Sequence, residues 1–325
     1  MDKCLIHYFS GTGNTYHMVK TIKNQLISKG YEVNVLNIEK DENKIVADYE
    51  LHIFCFPVYG FGTPSVMVRY ISKLEAEERF KAAIICTSAG FEGQALNHVK
   101  YLLDKNGFEV FYSDMVLYTY NWTQILNPQT KEIEEKVFRE AEVKIIEATE
   151  KIANYQTHFK KRNTIILLLC WFGFIMFSNF GRRILGKTYI ADASCISCGK
   201  CKNICPVKAI DMNNGKPTWN WKCECCQRCI NMCPQKSIQL SIVKLAIYVI
   251  SELVPILIII EINKYLVPLP IIINIVLYFI MVALNTGLAD ILICQMEKIK
   301  ALKKLMYVNY TNKYRRNTAE GFNIN

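Results

Sequence analysis

The chain has 325 residues, enough for two or three domains, and its 51% apolar residues allow a sizeable core or surfaces that face lipid. The formal net charge is +10, which suits an anionic membrane surface, an acidic protein partner or nucleic acid. No RNA- or DNA-binding motif accompanies this basic excess, so a nucleic-acid partner is not expected.

Cysteine is the most informative residue type in the composition. The chain has 14 cysteines, and nine of them fall between Cys195 and Cys233. A disulfide framework needs a secreted context, whereas the run after Met1 resembles a strand and contains no signal-peptide core. We therefore expect the chain to begin in a reducing cytosol, where clustered cysteines indicate metal ligands.

Strand and helix patterns alternate over roughly the first 160 residues. The patterns predict strands at residues 4–9, 32–38, 51–58, 82–87 and 108–118, and helices at 14–29, 65–74, 94–105 and 131–155. Several of these strands are continuous apolar runs, as expected for parallel strands that are buried on both faces. The alternation predicts an α/β domain with a doubly wound, parallel, five-stranded sheet.

A loop of small and hydroxyl-bearing residues follows the first predicted strand. Small residues let the backbone curl around a phosphate, amide and hydroxyl groups donate to it, and a helix N-terminus adds positive potential. The pattern lacks the lysine of a Walker loop and the third glycine of a Rossmann fingerprint. The loop residues are Ser10, Gly11, Thr12, Gly13, Asn14 and Thr15.

This loop resembles the FMN phosphate loop of flavodoxins, Ser/Thr-x-Thr-Gly-x-Thr. The resemblance covers about residues 1–157. It implies a flavodoxin-like sheet of order 2-1-3-4-5, with FMN bound at the carboxyl ends of the strands. Many flavodoxins are strongly acidic and this chain is basic, so its partner surface is expected to differ.

By the same resemblance, two further loops are expected to hold the flavin ring. Tyr59 is expected to stack on the ring, the alternative being an aromatic residue on a surface loop, and Gly60 to offer a peptide group to the flavin N5. Trp122, after the fifth strand, is expected to pack in the core, the alternative being that it covers the flavin site. The loop residues are Pro57, Val58, Tyr59 and Gly60 after the third strand, and Ser88, Ala89 and Gly90 after the fourth.

Residues 158–188 are expected to link this domain to the next one. They contain a basic hinge at 160–162, an apolar run at 164–178 and a second basic pair, Arg182 and Arg183. Fifteen residues are few for a membrane span, and a span here would put the flavin and the cysteine motifs on opposite sides. We therefore expect a helix that is buried or lies at a lipid interface.

Residues 189–240 contain the same cysteine pattern twice, with equivalent positions 28 residues apart. Two-residue gaps let three thiolates reach one cubane, while the fourth cysteine, followed by proline, reaches the other cluster. One cluster is therefore assigned Cys195, Cys198, Cys201 and Cys233, and the other Cys205, Cys223, Cys226 and Cys229.

This block resembles the bacterial two-cluster ferredoxin domain, which implies two 4Fe–4S clusters and low-potential electron transfer. The alternative is zinc, which tolerates Cys-x2-Cys pairs but needs neither the third cysteine nor the Cys-Pro ending. Cys225 lies between two ligands and is expected to be a spare thiol that points outward. The cysteines at 4, 55, 86, 170 and 294 are in apolar runs and are expected to pack as hydrophobic residues.

Residues 241–295 predict a transmembrane hairpin. Two apolar stretches, 242–262 and 271–293, are each long enough to cross a bilayer. The tail at 296–325 is rich in Lys and Arg, which favours a cell-membrane protein with its tail and redox domains on the cytoplasmic side. Glu252 and Asp290 would each cost about 2.5–3.5 kcal/mol at a bilayer centre. Either they mark a proton or quinone path, or they lie near the interface. The alternative to the hairpin is a helical pair that docks on another subunit.

The fusion of these parts is the basis for the predicted function. A flavin takes two electrons in steps and a cluster takes one, so joining them produces a converter between two-electron and one-electron partners. We expect an electron-transfer protein with a redox-protein partner and contact with membrane lipid.

The alternatives are a subunit of a larger membrane redox complex and a redox sensor without turnover. An NAD(P)H oxidoreductase is disfavoured, because no second dinucleotide motif is present. No nucleophile–base pair is evident, and the oligomeric state is not indicated.

Overall fold

The computed structural model describes residues 2–40, 48–74, 79–160, 163–265 and 268–324. Two of the three residues of the expected basic hinge, 161 and 162, lie outside these ranges. The N-terminal part alternates strands and helices: β1 (Lys3–Tyr8), α1 (Asn14–Ser28), β2 (Glu32–Asn37), β3 (Leu51–Pro57), α2 (Ser65–Ile71), β4 (Lys81–Ser88), α3 (Ala95–Lys105), β5 (Glu109–Leu117), α4 (Lys131–Ala153) and β6 (His158–Phe159).

These strands form one parallel sheet of order β2-β1-β3-β4-β5-β6. The predicted order 2-1-3-4-5 is confirmed, and the predicted number of five strands is corrected to six. The extra strand, β6, pairs through His158 and Phe159 with the edge of β5. A two-residue strand shows no periodicity, so the sequence pattern did not reveal it.

The core lies on both faces of the sheet. On one face, α1 and α4 bury residues such as Met18, Ile22 and Ile145. On the other face, α2 and α3 bury residues such as Met67 and Val99. Because helices cover both faces, the central strands β1, β3 and β4 are buried along almost their whole length. The carboxyl ends of the strands remain the open edge of the domain.

The cysteine-rich part is a small α+β unit. It comprises β7 (Tyr189–Ala191), α7 (Lys200–Asn203), β8 (Ile210–Asn213), β9 (Lys216–Trp219), α8 (Arg228–Met232) and β10 (Ile238–Leu240). Strand β7 pairs with β10, and β8 with β9, both antiparallel.

The backbone of this unit repeats with the sequence. Residues with positive φ recur 28 positions apart: Ser197 and Cys225, Gly199 and Gln227, Lys208 and Lys236. The two halves therefore follow the same chain path around their cysteines, as expected for a duplicated unit.

Three helices in the described residues are long and apolar enough to cross a membrane, judged by length and composition. The first is continuous over 24 residues, because a π-helical turn (Phe177–Gly181) joins α5 (Thr164–Met176) to α6 (Arg182–Lys187). The helix is longer than the expected fifteen residues. No residue of α5 is buried, so the expectation of a buried helix is wrong for α5, and the alternative of a helix at a lipid interface stays a prediction. The apolar run in the sequence stops at polar and glycine residues, so the predicted helix was too short. In the structure, the π-helical turn continues the helix through those residues.

The other two apolar helices are α9 (Ile242–Tyr265) and α10 (Ile271–Lys298), which pack together as a hairpin. Near the turn, Asn263 Nδ2 donates to Asn274 Oδ1 at 2.8 Å. Helix α11 (Lys300–Met306) follows, and the chain then returns to the N-terminal domain. There the Ala319 amide donates to the Thr12 carbonyl at 2.9 Å, so the basic tail is a packed part of the fold.

Candidate functional site

A cavity of about 350 Å³ lies at the carboxyl ends of β1, β3, β4 and β5. The three loops expected to bind FMN surround it, and all of their predicted residues except Gly13 form its lining. Those residues are Ser10, Gly11, Thr12, Asn14, Thr15, Pro57, Val58, Tyr59, Gly60, Ser88, Ala89 and Gly90.

The first loop leads directly into the N-terminus of α1, whose N-cap residue, Gly13, offers no side-chain cap. Ser10 Oγ accepts from the Gly13 amide at 3.1 Å and from the Tyr16 amide at 3.4 Å, and Thr15 Oγ1 lies 2.9 Å from Thr87 Oγ1. Gly13 has a φ of 111° and approaches Ala319 of the tail closely. Amides and hydroxyl groups at a helix N-terminus suit a phosphate. Gly13 shapes the turn instead of lining the cavity.

The second loop is a tight turn. The Tyr59 and Gly62 backbones exchange hydrogen bonds of 2.9 and 3.2 Å, and Gly60 and Phe61 between them have φ values of 53° and 69°. Two consecutive positive φ values are typical of a type I′ turn. A side chain at Gly60 would also collide with the Phe177 ring, so both conformation and space require glycine here.

Tyr59 directs its hydroxyl inward. The oxygen is buried and has no hydrogen-bond partner among the described residues. It lies against Gly11 of the first loop, where the Cys226 carbonyl also approaches. Burial raises the pKa of Tyr59 well above its ordinary value, so the phenol stays protonated and can donate. An orphaned donor beside the phosphate loop is consistent with a bound group in this cavity.

Other residues of the cavity wall were not predicted from the sequence to bind the flavin. The loop after β5, residues 118–122, belongs to it, and its position after the fifth strand was an available signal. Trp122 lines the cavity and meets Phe177 edge-on at 6.2 Å, which corrects the expectation of core packing. No local signal marks Phe177 or residues 224–227, because distant segments bring them here.

The eight expected cluster ligands line two further cavities, and the grouping follows the crossed pattern. One cavity is lined by Cys195, Cys198, Cys201 and Cys233, and the other by Cys205, Cys223, Cys226 and Cys229. Burial raises the pKa of the Cys226 thiol to about 12. A thiol of this kind becomes a thiolate by binding a metal, so the donor set fits iron.

A zinc site and a cluster site differ in how closely their thiolates approach one another. The described residues include no group of three or more His, Cys, Asp or Glu side chains placed to hold a single metal ion. A zinc ion would draw four thiolates to about 2.3 Å from one centre, whereas a cubane spreads them over four irons.

Cys225 corrects the expectation of an outward thiol. It is 7% exposed, and its Sγ donates to Gln124 Oε1 at 2.9 Å. It lines the cavity at the carboxyl ends of the strands, called the flavin-type cavity below. Its backbone has the positive φ of Ser197 in the first half. Cys225 is therefore the turn residue of the second loop, and its side chain points away from the cavity of the neighbouring cysteines.

Arg228 fastens this loop to the N-terminal domain. The side chain is 1% exposed, and its guanidinium donates to the carbonyls of Ser10 and Gly11 at 2.6 and 3.1 Å. It also forms a bidentate pair with Glu39, both distances being 2.7 Å, and bonds the Ile204 carbonyl at 2.9 Å. The carbonyl side of the first loop is thus held by a residue between two cluster ligands.

Glu224 fastens the same loop to the apolar helix. Its carboxylate is buried, pairs with Arg182 at 3.0 Å and with Arg183 at 3.5 Å, and accepts from the Ser65 amide at 3.1 Å. Arg182 and Arg183, at the end of the first apolar helix, therefore form ion pairs within the protein.

Residues 188–211 match the family model for 4Fe–4S binding domains, which covers the first cysteine motif. No curated protein matches the chain. Among solved structures, the chain is similar to a flavodoxin from the domain Archaea, with 16% identity over 46% of this chain and 99% of that chain and a TM-score of 0.31.

Two other solved structures are similar over comparable lengths. One is the two-electron reduced flavodoxin of Megasphaera elsdenii, with 21% identity over 43% of this chain and 98% of that chain and a TM-score of 0.33. The other is the rubredoxin oxygen:oxidoreductase of the anaerobe Desulfovibrio gigas, with 17% identity, 46% and 36% coverage, and a TM-score of 0.32.

The class of protein follows from the chain's own strand order and from the matched segment. The chain joins an α/β sheet of flavodoxin-like strand order to a segment that matches the family model for 4Fe–4S binding domains.

Proposed function

We propose that the chain is a membrane-associated electron-transfer protein that relays electrons between two 4Fe–4S clusters and one FMN. One observation carries the proposal: the loop that contains the ligand Cys226 also forms a wall of the cavity made by the strand-end loops. No separate domain movement is needed to bring the two sites together.

The residues that would hold each cofactor follow from the two types of cavity. The hydroxyls and amides at 10–15 would bind the FMN phosphate, and the loops at 57–60 and 88–90 would hold its ring. The two crossed sets of four cysteines would each hold a cluster. When bound, FMN supplies two-electron chemistry in single steps and each cluster supplies one-electron chemistry.

The accessibility of the two cysteine cavities suggests their order. In the first set Cys198 is exposed, whereas in the second set Cys223 and Cys229 are buried. The first site therefore suits exchange with an external redox protein, and the second suits exchange with the flavin. Exposed lysines near the first set, such as Lys202, favour an acidic partner.

Membrane attachment is proposed from the three apolar helices and the basic tail, with the redox parts on the cytoplasmic side. In this arrangement, residues 1–157 bind FMN, residues 158–188 connect this domain to the next, and residues 189–240 bind the clusters. Residues 241–295 anchor the protein in the membrane, and residues 296–325 form the basic tail that packs on the redox domains. Partition of the protein into carbonate-washed membranes, and protection of the turn at 263–270 from added protease on the cytoplasmic side, would test this arrangement.

The relay is tested by an anaerobic count on detergent-purified protein, followed by rapid mixing. We expect about eight iron, eight sulfide and one FMN per chain, and flavin absorbance that is lost after the cluster absorbance when a one-electron donor is mixed in. Four iron would contradict the second cluster. Full cofactor content with a flavin that the clusters never reduce would contradict the relay.

A membrane subunit of a larger redox complex is the second candidate. Glu252 lies within α9, and its Oε1 is buried with no hydrogen-bond partner among the described residues. An orphaned carboxylate in an apolar helix suits a contact that another chain completes. Stoichiometric co-purification of a partner from native membranes, lost in Glu252→Leu and kept in Leu253→Ala, would support this candidate.

A further inference from the structure

Two buried donors in the cysteine-rich unit lie beside cysteine sulfurs, Tyr189 beside Cys225 and Trp219 beside Cys229, without a hydrogen bond of ordinary length. Tyr189 is 1% exposed and Trp219 is 5% exposed, yet neither the phenol oxygen nor the indole Nε1 has a hydrogen-bond partner among the described residues. Burying a donor without a partner is unfavourable, because the donor loses its hydrogen bonds to water. Two such donors in one small core therefore indicate a bound acceptor.

Both side chains face the same cavity. Their rings lie 5.4 Å apart, and both line the cavity of the second cysteine set. The other polar side chains in its wall are engaged elsewhere: Glu224 pairs with Arg182, and Gln227 Oε1 accepts from the Gln124 amide. The remaining side-chain acceptors in this cavity are the cysteine sulfurs. A phenol keeps its proton at neutral pH, so Tyr189 can donate.

The first cysteine cavity lacks these donors. In the internal repeat, the position equivalent to Tyr189 is Pro217 and the position equivalent to Trp219 is Ala191. Pro217 lines the first cavity and cannot donate. The duplicated unit therefore has two aromatic donors at the second cysteine cavity and no donor side chain at the equivalent positions of the repeat.

We propose that Tyr189 and Trp219 donate hydrogen bonds to the sulfur atoms of the second 4Fe–4S cluster and hold its reduction potential above that of the first. Reduction makes a cluster more negative, so donors to its sulfurs stabilise the reduced form. Electrons are thereby favoured on the site that borders the flavin cavity. This inference rests on the proposed two-cluster relay and assigns its downhill direction between the clusters.

The test compares Tyr189→Phe and Trp219→Phe with Trp221→Phe, using full-length protein in detergent. Trp221 is a matched control, because it is exposed and donates to Asp290 instead of facing a cysteine cavity. The readouts are iron and sulfide content and an EPR-monitored redox titration. In each donor variant we expect one cluster to become at least tenfold harder to reduce, which is 59 mV for one electron, while the other is unchanged.

A second readout separates hydrogen bonding from packing. Exchange into D₂O should give a deuterium coupling to the second cluster in wild type that is weakened in each donor variant and kept in Trp221→Phe. Full iron content with unshifted potentials in both donor variants would overturn the inference while leaving the relay intact. An iron content of about four in the wild type would overturn both, and the count distinguishes that case.

Discussion

Arg228 shows how much depends on one buried charge. Its donors satisfy backbone carbonyls of the first loop and both oxygens of Glu39, and its guanidinium lies 5.3 Å from the Phe9 ring centre. Removing one member of such a pair leaves the other charge buried and unpaired. The residue therefore couples the two cofactor-binding parts more strongly than an exposed ion pair could.

Arg228→Met is expected to lower the free energy of unfolding by about 3–5 kcal/mol and to weaken FMN retention, because the carbonyls of Ser10 and Gly11 lose their donors. Thermal unfolding and flavin content after gel filtration would measure both effects. Arg139→Met, on the exposed face of α4, serves as the control and should change stability by no more than about 0.5 kcal/mol. Equal effects of the two variants would remove Arg228 from this role.

Cys225 and Cys226 are neighbours with opposite expected roles. Cys225→Ser should keep about eight iron per chain, because its thiol bonds Gln124 Oε1 instead of facing the second cysteine cavity. Cys226→Ser should lose the second cluster and about half of the iron. Iron analysis and EPR of the reduced protein would decide. Iron loss in Cys225→Ser that matches the loss in Cys226→Ser would show that Cys225 is a ligand.

At the scale of elements, the first apolar helix has two different halves. Its N-terminal half exposes large apolar side chains, with Ile165 at 68% and Leu169 at 67%, which suits lipid. Its C-terminal half packs on the turn after β3, where Phe174 approaches Gly62 and Phe177 approaches Gly60. The helix thus joins a surface for the membrane to the wall of the flavin-type cavity.

Gly60→Ala tests this contact. The added methyl would meet the Phe177 ring and occupy a positive φ, so we expect a loss of about 1–3 kcal/mol in stability and weaker FMN binding. Chemical denaturation and flavin titration would measure the two effects. Gly173→Ala is the control, because its methyl would make only an ordinary 3.7 Å contact with Phe61. An unchanged Gly60→Ala protein would argue against the close helix contact.

At the scale of the whole molecule, the chain closes on itself. After the hairpin, Arg315 pairs with Glu134 at 2.7 Å, and the Asn317 amide donates to Asn231 Oδ1 at 2.9 Å. Phe322 then packs between Tyr16 and residues of the cysteine-rich unit. The last segment therefore contacts both the N-terminal domain and the cysteine-rich unit and holds them together.

Truncation after Lys313 removes these contacts and should weaken FMN binding at least tenfold. The reason is that the Thr12 carbonyl, in the candidate phosphate loop, loses the hydrogen bond from the Ala319 amide. Isothermal titration of flavin-stripped protein with FMN would give the affinity. Glu320→Gln alters only an exposed side chain of the same segment and should bind as wild type does. Unaltered affinity in the truncated protein would show that the tail does not support the loop.

The sequence determined what depends on neighbours along the chain. Apolar runs and helical spacing predicted a parallel α/β sheet, and the resemblance of the first loop to the FMN loop of flavodoxins implied the strand order. The cysteine spacing predicted two crossed ligand sets that the structure gathers around two cavities. The candidate phosphate loop could be predicted because its small residues and the helix after it are adjacent in sequence. These features are local, so the pattern of residue types suffices to predict them.

Only the tertiary structure decided how the parts meet. The contacts of Arg228 with Ser10 and Gly11 and the seating of Ala319 on Thr12 join residues more than 200 positions apart. The inward thiol of Cys225 likewise depends on Gln124. Such contacts arise from the shapes and charges of surfaces that form only after each part has folded, and no periodicity along the chain encodes them.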